Sequence, residues 1–215
     1  AYKRNDSSTI EADQLELTRL VLEGRNISYD QLPARSQELV FETLGATLRE
    51  RVGVNDANND VLKTLGLLGP EGYAVAAEVL ADENDMPGID MARFGETESV
   101  IRRRETSAGK SVLAQLDDAL RMFCDLYSYE RVVGLSRQRF EEVPTEAFRE
   151  AITNAVVHRA WDVPAHVRVA MYEDRVEVTS PGGLPSGISE EEFLEDMVSV
   201  RRNPVLANVF LRLGL

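Results

Sequence analysis

The sequence predicts a mixed α/β fold of the α+β kind, with a helical N-terminal region, a middle α/β segment and a C-terminal α/β sandwich. Two patterns in its 215 residues lead to this prediction. Residues 110–127 place apolar side chains at helical spacing, which predicts a long amphipathic helix. Residues 166–172 and 175–179 alternate in polarity around Glu173-Asp174, which predicts a β-hairpin.

The N-terminal third predicts short helices joined by tight turns. Apolar residues within 15–22 predict a first helix, and we expect Gly24 to end it in a left-handed conformation. Ser36 is expected to cap a second helix, and residues 58–65 predict a third that stops at Gly66. A DNA-binding helical module and a linker region both fit this pattern.

The middle segment contains one ambiguous stretch and one strand. Residues 74–81 are small and apolar, and both a strand and a helix fit them. Residues 89–94 predict a strand after the Pro87-Gly88 turn. The run Arg102-Arg103-Arg104 is interpreted as a solvated turn rather than a DNA contact, because the chain as a whole is strongly acidic.

The last third begins with a predicted helix over residues 145–161 and continues into the hairpin. After the hairpin, residues 180–187 read as a loop with two adjacent glycines. Ser189 and Glu192 form a capping box that predicts a short acidic helix. Asn203-Pro204 is expected to open a final apolar helix.

Composition excludes several classes of protein. The net charge is 24 − 37 = −13, which argues against binding nucleic acid with the whole surface but allows a local basic site. No apolar run approaches the roughly 20 residues of a membrane span. The chain has a single cysteine, Cys124, which excludes an intrachain disulfide. One cysteine and two histidines are also too few for the common structural zinc sites. We expect a cytoplasmic protein.

Glu150, Asn154 and His158 recur every four residues, so a helix would present them on one face. An amide oxygen and a carboxylate one turn apart suit a Mg²⁺-nucleotide site. An ordinary exposed polar helix face has the same spacing.

Two further segments suit an anion. The Pro181-Gly182-Gly183 loop allows backbone amides to approach a phosphate, or it forms a simple tight turn. Arg201, Arg202 and Asn203 lead into a helix N-terminus, which attracts anions but is also a common place for a plain cap. A P-loop is excluded, because the glycine required five positions before Gly109 is Arg104.

The C-terminal motifs together resemble a known family. The segment Phe148-Arg-Glu150-Ala-Ile-Thr-Asn154-Ala-Val-Val-His158-Arg159 resembles the helix motif of divergent histidine-kinase-like (GHKL, Bergerat-fold) ATPase domains. The same family resemblance continues, in order, through Asp174-Arg175-Val-Glu177-Val, Ser180-Pro-Gly-Gly-Leu-Pro185 and Ser199-Val-Arg-Arg-Asn203-Pro204-Val-Leu-Ala207. It covers residues 133–215.

Upstream segments are similar to transcriptional regulators that join this domain to a Schlafen/AlbA-type DNA-binding domain. Tyr2-Lys-Arg4-Asn-Asp-Ser7-Ser8-Thr9 resembles the end of that DNA-binding domain, and residues 62–68 and 91–94 resemble the middle of these regulators. The resemblance implies that the chain is a fragment. Its implied parts are 1–10, the tail of the AlbA-type domain; 11–68, a helical linker; 69–132, a middle α/β segment; and 133–215, a GHKL-like ATP-binding domain that continues beyond Leu215.

The resemblance also implies roles for particular residues. Glu150 would be the water-activating base and Asn154 the Mg²⁺ ligand, with further nucleotide contacts from His158, Gly182, Gly183, Arg202 and Asn203. Active GHKL enzymes carry an aspartate that binds the adenine amine, and here Ser180-Pro181 occupies that place. The implied cofactors are ATP and Mg²⁺.

The resemblance therefore predicts a fragment of an ATP-binding transcriptional regulator in which the nucleotide switches DNA binding. Two alternatives stay open: a degenerate GHKL-like scaffold for dimerisation or partner binding without nucleotide, and a slow ATPase. The family is often described as helicase-related, but the absence of a P-loop argues against a P-loop helicase. Expected partners are DNA, through the domain that is missing from this chain, and a second copy in a homodimer; no membrane is expected.

Overall fold

A four-stranded mixed sheet lies at the centre of the fold, in a computed structural model that describes residues 2–5, 8–11, 13–133, 136–184, 191 and 201–215. The helices are α1 (Gln14–Gly24), α2 (Glu42–Val52), α3 (Asn59–Thr64), α4 (Val75–Leu80), α5 (Val112–Tyr127), α6 (Thr145–Val157) and α7 (Pro204–Leu213). The strands are β1 (Tyr2–Asn5), β2 (Ser8–Glu11), β3 (Leu68–Gly69), β4 (Gly72–Tyr73), β5 (Ile89–Phe94), β6 (Ile101–Ser107), β7 (Ser128–Val133), β8 (Ser136–Glu141), β9 (Val167–Met171) and β10 (Val176–Thr179). The predicted α+β class is confirmed.

The central sheet has the strand order β10-β9-β5-β6. The pair β5–β9 is parallel, and its outer neighbours β6 and β10 run antiparallel to it. Two of these strands come from residues 69–132 and two from residues 133–215. One sheet therefore crosses the boundary predicted at residue 133.

One face of this sheet carries the core. Val167, Val169 and Met171 alternate inward on β9, and Ile89 and Met91 do the same on β5. This alternation is the period of two expected of strands covered on one side. Helix α5 packs against β5 and β6, and α6 packs against α5. On the opposite face Asp90 pairs with Arg104 of β6, and Arg168 of β9 is exposed.

Most predicted elements are present, among them the strand at 89–94, the long helix at 110–127, the hairpin and the last helix. The ambiguous stretch 74–81 contains α4, and all six residues of that helix are buried. The paired strands β7 and β8 were not predicted. The short acidic helix predicted from Ser189 and Glu192 lies outside the described residues.

Two predicted helix ends were wrong. Gly24 is still helical, and the left-handed residue is Asn26, with φ of 56°. Ser36 does not cap α2; instead both carboxylate oxygens of Asp82 accept hydrogen bonds from the Glu42 and Thr43 amides, at 2.5 and 3.0 Å. A distant carboxylate thus satisfies amide groups that a helix N-terminus leaves unpaired.

Two predictions about the middle and last segments also need correction. Arg102, Arg103 and Arg104 lie on strand β6 rather than in a turn, and Arg104 pairs with Asp90 on the neighbouring strand at 2.8 Å. Helix α6 ends at Val157 instead of Trp161. Among the described residues, none of the helices combines the length and apolar character needed to cross a membrane.

Candidate functional site

Helix α6 presents a polar stripe to solvent. Glu150, Asn154 and His158 are all exposed. Phe148 and Ile152 point the other way and are buried, and the Phe148 ring stacks on Phe123 of α5 with 4.2 Å between centroids. The buried side fixes the rotation of α6, so the stripe keeps a constant orientation relative to the sheet.

The loop after β10 is fastened to α6. The Ser180 hydroxyl donates a hydrogen bond to the Ala155 carbonyl at 2.6 Å, and the Ala160 amide donates to the Pro181 carbonyl at 2.9 Å. These bonds bring Gly182 against the C-terminal end of α6.

The position of Gly182 has no room for a side chain. Its φ is +110°, and a Cβ there would lie 2.7 Å from the Ala160 Cβ and 2.3 Å from the Arg202 Nη1. Gly183 has open space around its Cα. The two glycines therefore differ: the first permits a close approach of backbone and arginine, and the second is free of that constraint.

Arg202 closes this end of the site. Its Nη2 donates to the Gly183 carbonyl at 2.5 Å. Burial lowers the pKa of Arg202, the nearby charge of Arg19 lowers it further, and Asp162 raises it. Burial also lowers the pKa of His158, aided by the charges of Arg202 and Arg201. The lowered pKa favours the neutral imidazole of His158, which can accept a hydrogen bond as well as donate one.

Asn203 points into the protein. It is 1% exposed, and its Nδ2 donates to the Val157 and Arg159 carbonyls at 2.7 and 2.8 Å. These are carbonyls at the end of α6, which the helix itself cannot satisfy. The side chain of Asn203 thus joins the end of α6 to the start of α7.

The N-terminus of α7 is capped by Asp30 rather than by Asn203. Asp30 is fully buried, and its Oδ2 accepts hydrogen bonds from the Val205 and Leu206 amides at 2.8 and 3.1 Å. The Ser28 hydroxyl donates to the other carboxylate oxygen at 2.5 Å. Burial nevertheless raises the pKa of Asp30, against these hydrogen bonds.

Arg159 anchors the loop between α6 and β9. It is 1% exposed and donates to the carbonyls of Pro87, at 2.9 Å, and of Ala165. Its guanidinium lies 4.2 Å from the centroid of the Trp161 ring, and burial lowers its pKa to about 10. The neighbouring residues His158 and Arg159 thus have opposite roles, one facing solvent and the other holding the loop.

The structure brings together His158, Gly182 and Arg202 at the C-terminal end of α6. Gly183 lies beside them, while Asn154 and Glu150 lie one and two turns back, so the stripe extends about 12 Å along the helix. Asn203 stands apart, beneath this surface. Together, an arginine side chain, a neutral imidazole and a glycine with a positive φ form a site that favours the binding of an anion.

Sequence reasoning did not find Arg19, Asp30 or Asp162. Each acts on a residue far away along the chain: Asp30 caps a helix 175 residues later, and Arg19 pairs with Asp162 across 143 residues. No local spacing pattern carries such information.

Comparison with known proteins supports an ATPase-like C-terminal region. Residues 165–215 match a family model described as "Putative ATP-dependent DNA helicase recG C-terminal". This match includes β9, β10, the glycine loop and α7. None of the curated proteins matches the chain.

A solved structure resembles nearly the whole chain. It is the DIP2311 protein from Corynebacterium diphtheriae, with a TM-score of 0.71 and 25% sequence identity over 99% of this chain. The similarity covers 44% of the DIP2311 chain, so the present chain spans less than half the length of that protein.

Proposed function

We propose that the chain binds Mg-ATP along the exposed stripe of α6, and that the nucleotide acts as a switch within a longer, DNA-binding transcriptional regulator. The observation that carries this proposal is the close approach of Arg202 to Gly182 and Gly183 at the C-terminal end of α6, where the charge of Arg202 also acts on His158. The family match to an ATPase-like region, which contains three of these four residues, supports it.

The phosphates fit the Arg202 end of the stripe. The Arg202 guanidinium is held by the Gly183 carbonyl, which leaves other N–H groups for an anion. The absence of a Cβ on Gly182 keeps backbone and guanidinium close together. The neutral His158 adds a hydrogen-bonding group without a competing charge.

The described residues offer fewer groups for a Mg²⁺ ion and for a catalytic base than for the phosphates. The described residues include no group of three or more His, Cys, Asp or Glu side chains that could hold a metal ion. Mg²⁺ commonly takes one or two protein oxygens and completes its shell with phosphates and water, so Asn154 alone on the stripe is compatible with it. Ser180 uses its hydroxyl proton on Ala155, and its oxygen keeps lone pairs for an adenine amine.

Bound ATP would supply a terminal phosphoryl group that can be transferred to water. Glu150 is the carboxylate on the same face as Asn154, but it lies two helical turns, about 12 Å, before His158, which is too far for it to orient a water against a phosphate held at the Arg202 end. In a regulator, binding alone is sufficient for switching, because occupancy of the site by nucleotide can bias the position of attached elements. The DNA contact belongs in this proposal to another region of the longer protein.

Calorimetry with Mg-ATP tests the proposal, using the wild-type protein, Asn154→Ala and Asn208→Ala. We expect Asn154→Ala to weaken Mg-ATP binding by roughly 10-fold or more, as loss of a metal contact usually does. Asn208→Ala is the matched control, because Asn208 lies on α7 and contacts Arg212. Equal affinities for all three proteins would contradict a metal role for Asn154.

The second candidate function is a scaffold without nucleotide. It is favoured by the engagement of Ser180 with Ala155 and of Asn203 with Val157 and Arg159, which commits polar groups to the fold itself. Absence of Mg-ATP binding by the wild-type protein would favour this scaffold over the nucleotide switch.

A further inference from the structure

Helix α1 reaches the candidate site through one side chain. Arg19 forms a side-on ion pair with Asp162, with Nε–Oδ2 at 2.6 Å and Nη2–Oδ1 at 2.9 Å. None of the residues of α1 is buried. This pair is therefore a specific attachment in a helix that lacks a packed apolar face.

The pair lies next to the phosphate end of the site. Asp162 follows Ala160 by two residues, and Ala160 and Arg202 both lie against Gly182. The charges of both Arg19 and Asp162 act on Arg202 and shift its pKa in opposite directions. Arg19 thus brings a further positive charge to the place where Arg201 and Arg202 already lie.

The geometry of the pair leaves Arg19 able to bind more. A guanidinium has five N–H donors, and the bonds to Asp162 use two of them, on the Nε side. The Arg19 side chain is 40% exposed, whereas that of Asp162 is 12% exposed. Asp162 therefore orients an arginine whose remaining donors are accessible to solvent.

The acidic residues near Arg19 on its own helix are engaged elsewhere. Asp13 and Glu16 form a capping box, in which the Asp13 carboxylate accepts from the Glu16 amide and the Glu16 carboxylate accepts from the Asp13 amide. Their carboxylates serve the N-terminus of α1, and Asp162 is the one that forms the ion pair with Arg19.

We propose that Arg19 completes the phosphate end of this site and contacts the terminal phosphate of a bound polyphosphate, so that α1 responds to the length of the phosphate chain. This inference rests on the proposed nucleotide site. It adds the residue that distinguishes a triphosphate from a diphosphate, and it makes Asp162 a positioning residue. Because α1 follows directly on the β1–β2 hairpin, the N-terminal part of the chain would be linked to the nucleotide state.

The test compares Arg19→Gln with the matched control Arg25→Gln, at the residue that follows α1, in the intact chain. Calorimetry gives the affinities for Mg-ATP, Mg-ADP and inorganic tripolyphosphate. Fluorescence of Trp161, the single tryptophan, reports on the loop beside Asp162. We expect Arg19→Gln to weaken Mg-ATP and tripolyphosphate by about 10-fold and Mg-ADP by less than about 2-fold, since one charge-assisted contact is lost.

The outcomes separate this inference from the proposed function. If the wild-type protein binds Mg-ATP and Arg19→Gln weakens ATP and ADP equally, or weakens neither, the role of Arg19 is wrong and the nucleotide site stands. If only tripolyphosphate binds, and binds through Arg19, the nucleotide proposal fails and the role of Arg19 in polyphosphate recognition is supported. If the wild-type protein binds none of the three ligands, both proposals are overturned.

Discussion

The α6–α7 junction and helix α1 border the same candidate site, but they are held in opposite ways. At the junction, Asn203 and Asp30 are almost fully buried. Asn203 donates two hydrogen bonds to backbone carbonyls, and Asp30 accepts two from backbone amides. Helix α1 has no buried residue, and a partly exposed ion pair joins it to Asp162.

This difference makes the α6–α7 junction the rigid side of the candidate site and α1 the side that can move. Leaving a buried polar group without a partner costs about 1–3 kcal/mol, whereas an exposed ion pair contributes about 0–1 kcal/mol. The junction should therefore keep its geometry while α1 shifts at little cost. Three substitutions test this contrast.

The largest effect is expected for Asn203→Ala. This substitution leaves the Val157 and Arg159 carbonyls without their buried donor, so we expect the free energy of unfolding to fall by about 2 to 4 kcal/mol. Urea denaturation measures it, with Asn208→Ala as the control, where a change of about 0.5 kcal/mol or less is expected. Similar losses in the two variants would show that the junction is not the rigid side.

Gly182→Ala should have the next largest effect. The added Cβ would collide with Ala160 and Arg202, and the φ of +110° disfavours a residue with a side chain. We expect a loss of about 1 to 3 kcal/mol in stability, together with weaker Mg-ATP binding. Gly183→Ala has room for its Cβ and should change stability by no more than about 0.5 kcal/mol. A Gly183→Ala protein as unstable as Gly182→Ala would refute the distinction drawn between the two glycines.

The smallest effect is a pH dependence at Asp30. Burial raises the pKa of Asp30, so the folded protein takes up a proton more readily than the unfolded chain does. As the pH falls through this raised pKa towards the ordinary value of about 3.9, the wild-type protein should therefore gain stability relative to Asp30→Asn. Asparagine keeps an oxygen for the Val205 and Leu206 amides, so the difference at pH 7 should stay below about 1 kcal/mol.

Urea denaturation from about pH 7 down to about pH 4 measures the Asp30 effect, because the other carboxylates titrate in both proteins and cancel. Asp56→Asn, at a side chain that is 77% exposed, provides the comparison. A difference between wild type and Asp30→Asn that stays constant, or that grows in favour of the variant at low pH, would contradict the expectation.

Local periodicity accounts for what the sequence could predict. The apolar spacing along α5 and the alternation along β9 and β10 arise within single elements, so they are readable without knowledge of the fold. The polar stripe on α6 was likewise visible as a spacing of four. Whether that stripe binds nucleotide stays a prediction.

Contacts between distant residues account for what could not be predicted. The carboxylate of Asp82 caps the N-terminus of α2, and that of Asp30 caps the N-terminus of α7, although the local residues at both places suggested other caps. The early end of α6 coincides with the bonds from Asn203, which lies beyond two strands and a loop. The hairpin β7–β8 follows α5 without a break, so no turn signal separated it from the helix.

The parallel pair β5–β9 determines how the chain can be divided. A piece beginning at residue 133 would contain β9 and β10 but would lose β5 and β6, and the inner edge of β9 would be left unpaired. It would also lose Asp30, and with it the cap of α7. Exposed strand edges invite association with other chains, so such a piece should aggregate rather than fold. During synthesis, likewise, the glycine loop and Arg202 can take their places only after β5, β6 and Asp30 have already emerged.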